Sequence, residues 1–325
     1  MNGKTAPAAA VPAAADPTPS YIRTSLDGTT YWWQFSCRQV RMLGKGPGDL
    51  MAEKTNGQGL DRSRLRAMEL WHEVAGVGSA VTLIHPGVCD SRVWDPQWDT
   101  FARVHTTIRC DLRGFGRTPI PQGRYSHAQD LIALLDRLKV GPCALVGASL
   151  GGRVAMEVSL ARPDLVERLV LIGASLPGHI WSQDVTRYGD EEDAALEAGD
   201  IEAAVQANLR MWVDGRNRSQ DEVDPTVRLL IANMQRHALE LQLPGWGKAD
   251  EELLVPDIGR RYVEISVPTL VLIGSEDIAD MHAIADRLSA GISGARKTEI
   301  RGAAHVPSLE KPEEFNSLAL DFLAP

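Results

Sequence analysis

Cysteine is scarce in this chain: Cys37, Cys89, Cys110 and Cys143 are the only four among 325 residues, and no two form a C-x-x-C pair. A disulfide framework and a structural zinc site both need more thiols at closer spacing, so neither is expected, and a reducing, cytoplasmic location is. Basic clusters are missing as well. With a formal charge of −9 at pH 7 and a pI near 5.4, the surface does not match the phosphates of a nucleic acid. No segment approaches the roughly 18 apolar residues of a membrane span. The alanine-rich start, Ala8-Ala9-Ala10 and Ala13-Ala14-Ala15 around Val11-Pro12, lacks the hydrophobic middle of a secretory signal, so disorder is expected there.

What is present is enough apolar material, 44% of the residues, to bury one large core. Residues 1–64 combine the Ala/Pro-rich start with a stretch carrying Gly44, Gly46, Gly48, Gly57 and Gly59, and show no sustained period. They are expected to be an accessory extension, and a biological start at Met42 or Met51 is one reading of them. From Leu65 the texture becomes short apolar runs separated by helical patterns, which predicts an α/β domain over 65–325 with a mostly parallel central sheet and helices on both faces. The strand candidates are Glu69–Val74, Ala80–His85, Thr106–Asp111, Cys143–Gly147, Leu169–Gly173, Thr269–Gly274 and Lys297–Arg301. Helices are expected at Trp94–Phe101, His127–Leu138 with Ser126 as N-cap, Leu150–Ala161, Met281–Leu288 and Pro312–Phe322. The rhythm breaks at about 176–262, where no strand is evident and helices are predicted at Glu191–Glu197, Ile201–Trp212 and Pro225–Leu241. That is too long for an ordinary connection. A helical cap over the carboxyl ends of the strands, where ligands bind in open α/β sheets, accounts for it.

The chemistry centres on Gly147-Ala148-Ser149-Leu150-Gly151-Gly152, between a predicted strand and a predicted helix. A serine on so sharp a turn needs small neighbours, and the helix behind it aims free N–H groups and a partial positive charge at the reaction centre. Serine is a weak nucleophile without a base. Of eight histidines, His305 is best placed, in the small-residue loop Gly302-Ala303-Ala304-His305-Val306-Pro307 after the last strand. The carboxylate that orients such a base should end another strand, and Asp277 is preferred there over Glu276 and Asp280, the last of which suits an N-cap at Met281. Two N–H donors must face the developing oxyanion. Leu150 supplies one by position; Pro86 has no N–H, so the second falls to Gly87, with Val88 behind it. His85 is expected to fix that turn rather than move protons.

These segments, together with Trp94-Asp95 and Asp111-Leu112-Arg113-Gly114-Phe115-Gly116-Arg117, resemble the α/β-hydrolase superfamily over Leu65 to Pro325. Within it the chain is most similar to small capped bacterial hydrolases such as 3-oxoadipate enol-lactonases, carboxylesterases and cofactor-free haloperoxidase-like enzymes. Haloalkane dehalogenases and epoxide hydrolases of that fold carry Asp where this chain has Ser149. Where the family commonly has Gly after the strand-ending histidine, this chain has Pro86.

The resemblance implies a serine hydrolase that cleaves a carboxylic ester or lactone of a small apolar substrate through an acyl-serine intermediate, with no metal and no organic cofactor. Val88, Trp181, Trp212 and His237 are the expected substrate contacts, with Trp246, Met211, Met234, Leu241, Trp94 and Cys89 as further lining candidates. Two alternatives use the same residues: a C–C bond hydrolase or a lyase or cyclase with the same triad, and a ligand-binding protein that has lost turnover. The partner is a small molecule in each case, and the oligomeric state is open.

Overall fold

The computed structural model describes residues 69–324; the N-terminal extension, Cys37, and the start sites Met42 and Met51 lie outside them. Nine strands occur there: β1 (His72–Ala75), β2 (Ala80–Ile84), β3 (Thr106–Cys110), β4 (Gly123–Tyr125), β5 (Cys143–Ala148), β6 (Val166–Ile172), β7 (Ala249–Glu251), β8 (Thr269–Gly274) and β9 (Arg296–Ile300). Seven of them form one sheet in the order β1-β3-β2-β5-β6-β8-β9. Only β1 is antiparallel to its neighbour. A strand covered on both faces needs continuous rather than alternating apolarity, and Leu145-Val146, Leu169–Ile172 and Leu272-Ile273 are accordingly fully buried.

Helices pack around this sheet. Leu150–Ala161 lies against His127–Leu138, and Pro312–Leu323 against Asp95–Ala102. The helix His127–Leu138 starts where the Ser126 hydroxyl accepts the Gln129 N–H, as its sequence predicts. Pro312 opens the last helix, where its missing N–H costs nothing. The first strand is shorter than expected because its leading residues have other partners. The Trp71 N–H donates to the Thr118 hydroxyl and the Trp71 carbonyl accepts from Asp111.

The long interval between β6 and β8 contains the helices Gln183–Glu197, Ile201–Asn208, Pro225–Gln242 and Ile258–Arg261. Two features of this interval depart from the expectation. The expectation of no strand in the interval fails at β7, whose three residues pair in parallel with β4 to form a second, two-stranded sheet. Neither strand has an apolar pattern to reveal it. The expected single helix to Trp212 instead ends at Asn208 and continues as a wide π-helical turn, Leu209–Asp214.

Candidate active site

Ser149 joins β5 to the helix that begins at Leu150, with φ 48° and ψ −109°. Among the described residues, it and Lys139 are the only non-glycines at positive φ. Such a backbone costs a side-chain-bearing residue about 1–2 kcal/mol and persists only where its surroundings fix it. Here the Ser149 N–H donates to the Ile172 carbonyl at 2.8 Å, while its own carbonyl accepts from Arg153 at 3.1 Å and Ser175 at 3.2 Å. The flanking glycines are steric necessities. A Cβ on Gly147 would sit 2.3 Å from the Gly151 carbonyl oxygen, one on Gly151 2.2 Å from that of Ile84, and one on Gly152 2.5 Å from the Ala174 Cβ. Ser149 itself is half-exposed.

His305 and Asp277 come together from the loops after β9 and β8. The His305 Nδ1–H donates to Asp277 Oδ2 at 2.8 Å, and both side chains are almost wholly buried. The second carboxylate oxygen, Oδ1, accepts the Ile278 N–H at 2.8 Å. With Nδ1 carrying the proton, Nε2 is left as an acceptor. The remaining two carboxylates have other partners. Asp280 lies within the helix Ala279–Gly291 rather than capping it, and its Oδ1 takes His179 Nε2 and the Ser182 N–H. Glu276 bonds the Ser275 hydroxyl and the Asn217 amide.

Gly173, which no sequence motif marks, links the two halves of the site. It follows Ile172, the acceptor of the Ser149 N–H, and has φ +45°. A Cβ there would lie 3.1 Å from His305 Cε1 and Nδ1 and 3.3 Å from Asp277 Oδ2. The histidine–aspartate pair therefore rests on bare backbone one residue from the peptide that holds Ser149. Trp212 covers the pair from the helical interval, its ring centroid 4.6 Å from that of His305, and its carbonyl accepts the His305 N–H at 3.2 Å. Its indole N–H donates to the buried Tyr188 hydroxyl at 3.1 Å, which in turn donates to Asn208 Oδ1 at 2.6 Å.

Across from this, the turn after β2 closes when the Cys89 N–H reaches the Pro86 carbonyl at 3.1 Å, a bond that uses neither the Gly87 nor the Val88 N–H. His85 braces the turn. Its Nε2 accepts the Leu112 N–H at 2.9 Å, so its protonated Nδ1 donates to the Pro86 carbonyl at 2.9 Å. Burial lowers its pKa and outweighs the opposing charge of Asp111, which keeps the ring neutral for that paired role.

The expected substrate contacts scatter more widely. Val88 is buried, and Trp181 is half-buried with its ring 4.9 Å from that of His179. His237 gives Nε2 to the Gly116 carbonyl at 2.8 Å, a contact that ties the helix Pro225–Gln242 to the loop after β3. Trp94 and Cys89 are fully buried, Trp94 packing on Phe315 at 6.1 Å. Burial pushes the Cys89 thiol well above its usual pKa, which is the opposite of what a nucleophilic thiolate needs. Among the described residues no group of three or more His, Cys, Asp or Glu side chains is placed to hold a metal ion. No helix among them is long and apolar enough to cross a membrane.

Comparison with known proteins finds relatives of the chain and of its fold. A family model described as alpha/beta hydrolase fold matches residues 81–312. A Variovorax paradoxus protein named "Putative carbamate hydrolase RutD" is 30% identical, over 79% of this chain and 97% of its own length. A solved structure described as "Est816 as an N-Acyl homoserine lactone degrading enzyme" is 27% identical with a TM-score of 0.63, covering 78% of this chain and 96% of that one. A hydrolase from Pseudomonas aeruginosa is 26% identical with a TM-score of 0.65, covering 79% and 94%.

Proposed function

The chain belongs to the alpha/beta hydrolase fold family, and from that premise we propose that it is a serine hydrolase acting on a carboxylic ester or lactone through an acyl-serine intermediate. The observation that carries this reading is the buried His305–Asp277 bond resting on Gly173, beside the peptide that fixes the strained Ser149.

Ser149 attacks the substrate carbonyl while His305 Nε2 takes its proton; Asp277 holds Nδ1–H and so the tautomer, and stabilises the imidazolium that forms. The negative oxygen of the tetrahedral intermediate receives the N–H of Leu150, which has no acceptor within its own helix, and that of Gly87. His305 then returns its proton to the departing alcohol or, in a lactone, to the ring oxygen. Water enters, gives a proton to His305 as it attacks the acyl carbonyl, and the acid is released as that proton returns to Ser149. The helices between β6 and β8 act as a cap that excludes water and offers Trp181 and Trp212 to an apolar group.

The lactone arm is supported by the 27% identical structure, which is described as degrading an N-acyl homoserine lactone. A second reading extends the acyl group to carbamates, which the same steps cleave, and rests on the name of the 30% identical relative. A panel of p-nitrophenyl esters, N-acyl homoserine lactones and a simple carbamate, run on the parent protein and on Ser149→Ala, tests both. The parent is expected to turn over at least one class, and Ser149→Ala to lose about 10³-fold or more of that rate, because the three residues act as a unit. Retention of about a tenth of the rate by Ser149→Ala would refute the serine mechanism.

A further inference from the structure

The helical interval does more than lie near His305; it is bonded to both loops that carry the histidine–aspartate pair. The π-helical turn Leu209–Asp214 ends at Gly215, and the last carbonyls of any helix lack N–H donors within it. Here those carbonyls have partners from elsewhere. Trp212 receives the His305 N–H, and Arg218 folds back to cover the next two, its Nη2 donating to Val213 at 2.7 Å and its Nε to Asp214 at 3.0 Å.

The third corner of the same guanidinium faces the histidine loop. Arg218 Nη1 donates to the Gly302 carbonyl at 3.0 Å and pairs with Glu310 Oε2 at 2.8 Å. Glu310 passes the link on, because its other oxygen accepts the Ala304 N–H at 2.7 Å, one residue before His305. The pair is sheltered, with 10% of the Arg218 side chain and 6% of the Glu310 side chain exposed. Burial raises the Glu310 carboxyl above its usual range against the pull of Arg218, and the charge of Asp277 raises it further. The neighbouring residues grip the other loop. Gly215, at φ +77°, leaves room where a Cβ would meet the Glu276 carbonyl oxygen at 2.3 Å, and the Arg216 N–H donates to that carbonyl at 3.1 Å.

We propose that Arg218, with Glu310, is a positioning pair for His305: it clamps the end of the π-helical turn to the Gly302–His305 loop, so that the base is correctly aimed only while the helical interval is seated. The proposal rests on the serine-hydrolase reading above. Neither residue touches the reacting atoms. The planar fork of arginine is what allows one side chain to join two helix-end carbonyls, a loop carbonyl and a carboxylate, which the point charge of lysine does not reproduce.

The test uses a fluorophosphonate probe, whose rate of reaction with Ser149 reports the aim of His305 without a known substrate, together with p-nitrophenyl butyrate turnover. The variants are Arg218→Met, Arg218→Lys, Glu310→Gln and, as an exposed ion-pair control, Arg261→Met. Melting curves establish that each is folded at the assay temperature. Arg218→Met is expected to lower both labelling rate and kcat by about 10- to 100-fold with KM changed by less than about threefold. Arg218→Lys should recover part of the loss, Arg261→Met should match the parent, and the Arg218→Met/Glu310→Gln double variant should be no slower than the slower single one, since the two act as one unit. Folded Arg218→Met labelling within about twofold of the parent, or a rise in KM at unchanged kcat, overturns the proposal. Were Arg218→Met not to fold, Arg218→Lys and Glu310→Gln decide it by the same criteria. Ser149→Ala separates the two levels: if it still labels and turns over, the serine reading falls and the positioning role with it, whereas if it is dead while the Arg218 variants are fast, the positioning role alone falls.

Discussion

Two residues of the described chain hold a left-handed backbone without being glycine, and they differ in what that does. Lys139 is the exposed end of a helix, at φ 53°, where such a residue ends the coil. Ser149 is locked between β5 and the following helix by bonds at both its N–H and its carbonyl, so its strain is maintained by the fold. Gly173, at φ +45°, is one of twelve glycines at positive φ among the described residues, and there a Cβ would press on His305 at 3.1 Å and Asp277 at 3.3 Å. Gly173→Ala is expected to cost about 1–2 kcal/mol of stability from its φ alone, and to lower kcat by about tenfold or more as the methyl displaces the His305 ring. Urea unfolding and p-nitrophenyl ester kinetics check the two effects; a variant with parental kcat would show that the ring has slack. Ser149 and His305 stand out in the sequence because small residues crowd around a lone reactive one. Gly173 does not, since a glycine after an apolar strand has many uses. Asp277 is one of three closely spaced carboxylates in the sequence, and only the bond to His305 distinguishes it from Asp280, whose carboxylate holds His179 and the Ser182 N–H.

At the scale of elements, β2, β3, β5, β8 and β9 fall within one residue of their predicted ends; β5 and β8 do so as buried, continuous apolar runs, whereas β9, Arg296–Ile300, is a largely exposed strand at the end of the sheet. β6 starts earlier than predicted, at Val166, because Glu167 and Arg168 interrupt its pattern at the edge of the core. β4 and β7 have no such pattern at all. Their three-residue pairing is a consequence of where the helical interval crosses the loop before the helix His127–Leu138. Helix starts are more legible, because a cap is a local side-chain-to-backbone bond. Ser126→Ala should cost about 1 kcal/mol, read as a lower urea midpoint at unchanged m-value, since the Gln129 N–H then loses its acceptor. No change would mean that another group caps that turn. The wide turn at Leu209–Asp214 is not legible in the sequence, because its geometry answers to His305 and Arg218, the first of which is distant along the chain.

For the molecule as a whole, a buried charged cluster binds the interval to the sheet-flanking helices. Arg153 pairs with Glu157 on its own helix and with Glu251 of β7, each at 2.6 Å, and all three are nearly or fully buried. His127 lies 3.9 Å from Glu251, with both ring nitrogens lacking a hydrogen-bond partner. Its pKa falls from 6.5 to about 4, first because burial opposes the charged form, and the Glu251 carboxylate recovers only part of this. A lowered folded-state value means that the unfolded chain binds the proton first, so stability rises with pH through this window and is lost as pH falls from 6.5 towards 4. The loss assigned to His127 is about 3 kcal/mol at most. Urea unfolding across that window should show a shallower decline for His127→Gln than for the parent; equal slopes would assign the acid sensitivity to other groups. Neighbouring residues were enough for the seven strands of the main sheet, the elbow at Ser149 and the loop of His305, because apolar period, turn chemistry and the steric demand for glycine are written locally. The partner of His305, the bare backbone at Gly173 and the bond of Arg218 to Glu310 emerge from long-range packing alone. Each of those depends on chain ends of separate strands meeting at one edge of a sheet, and the distances between them are set by packing rather than by spacing along the chain.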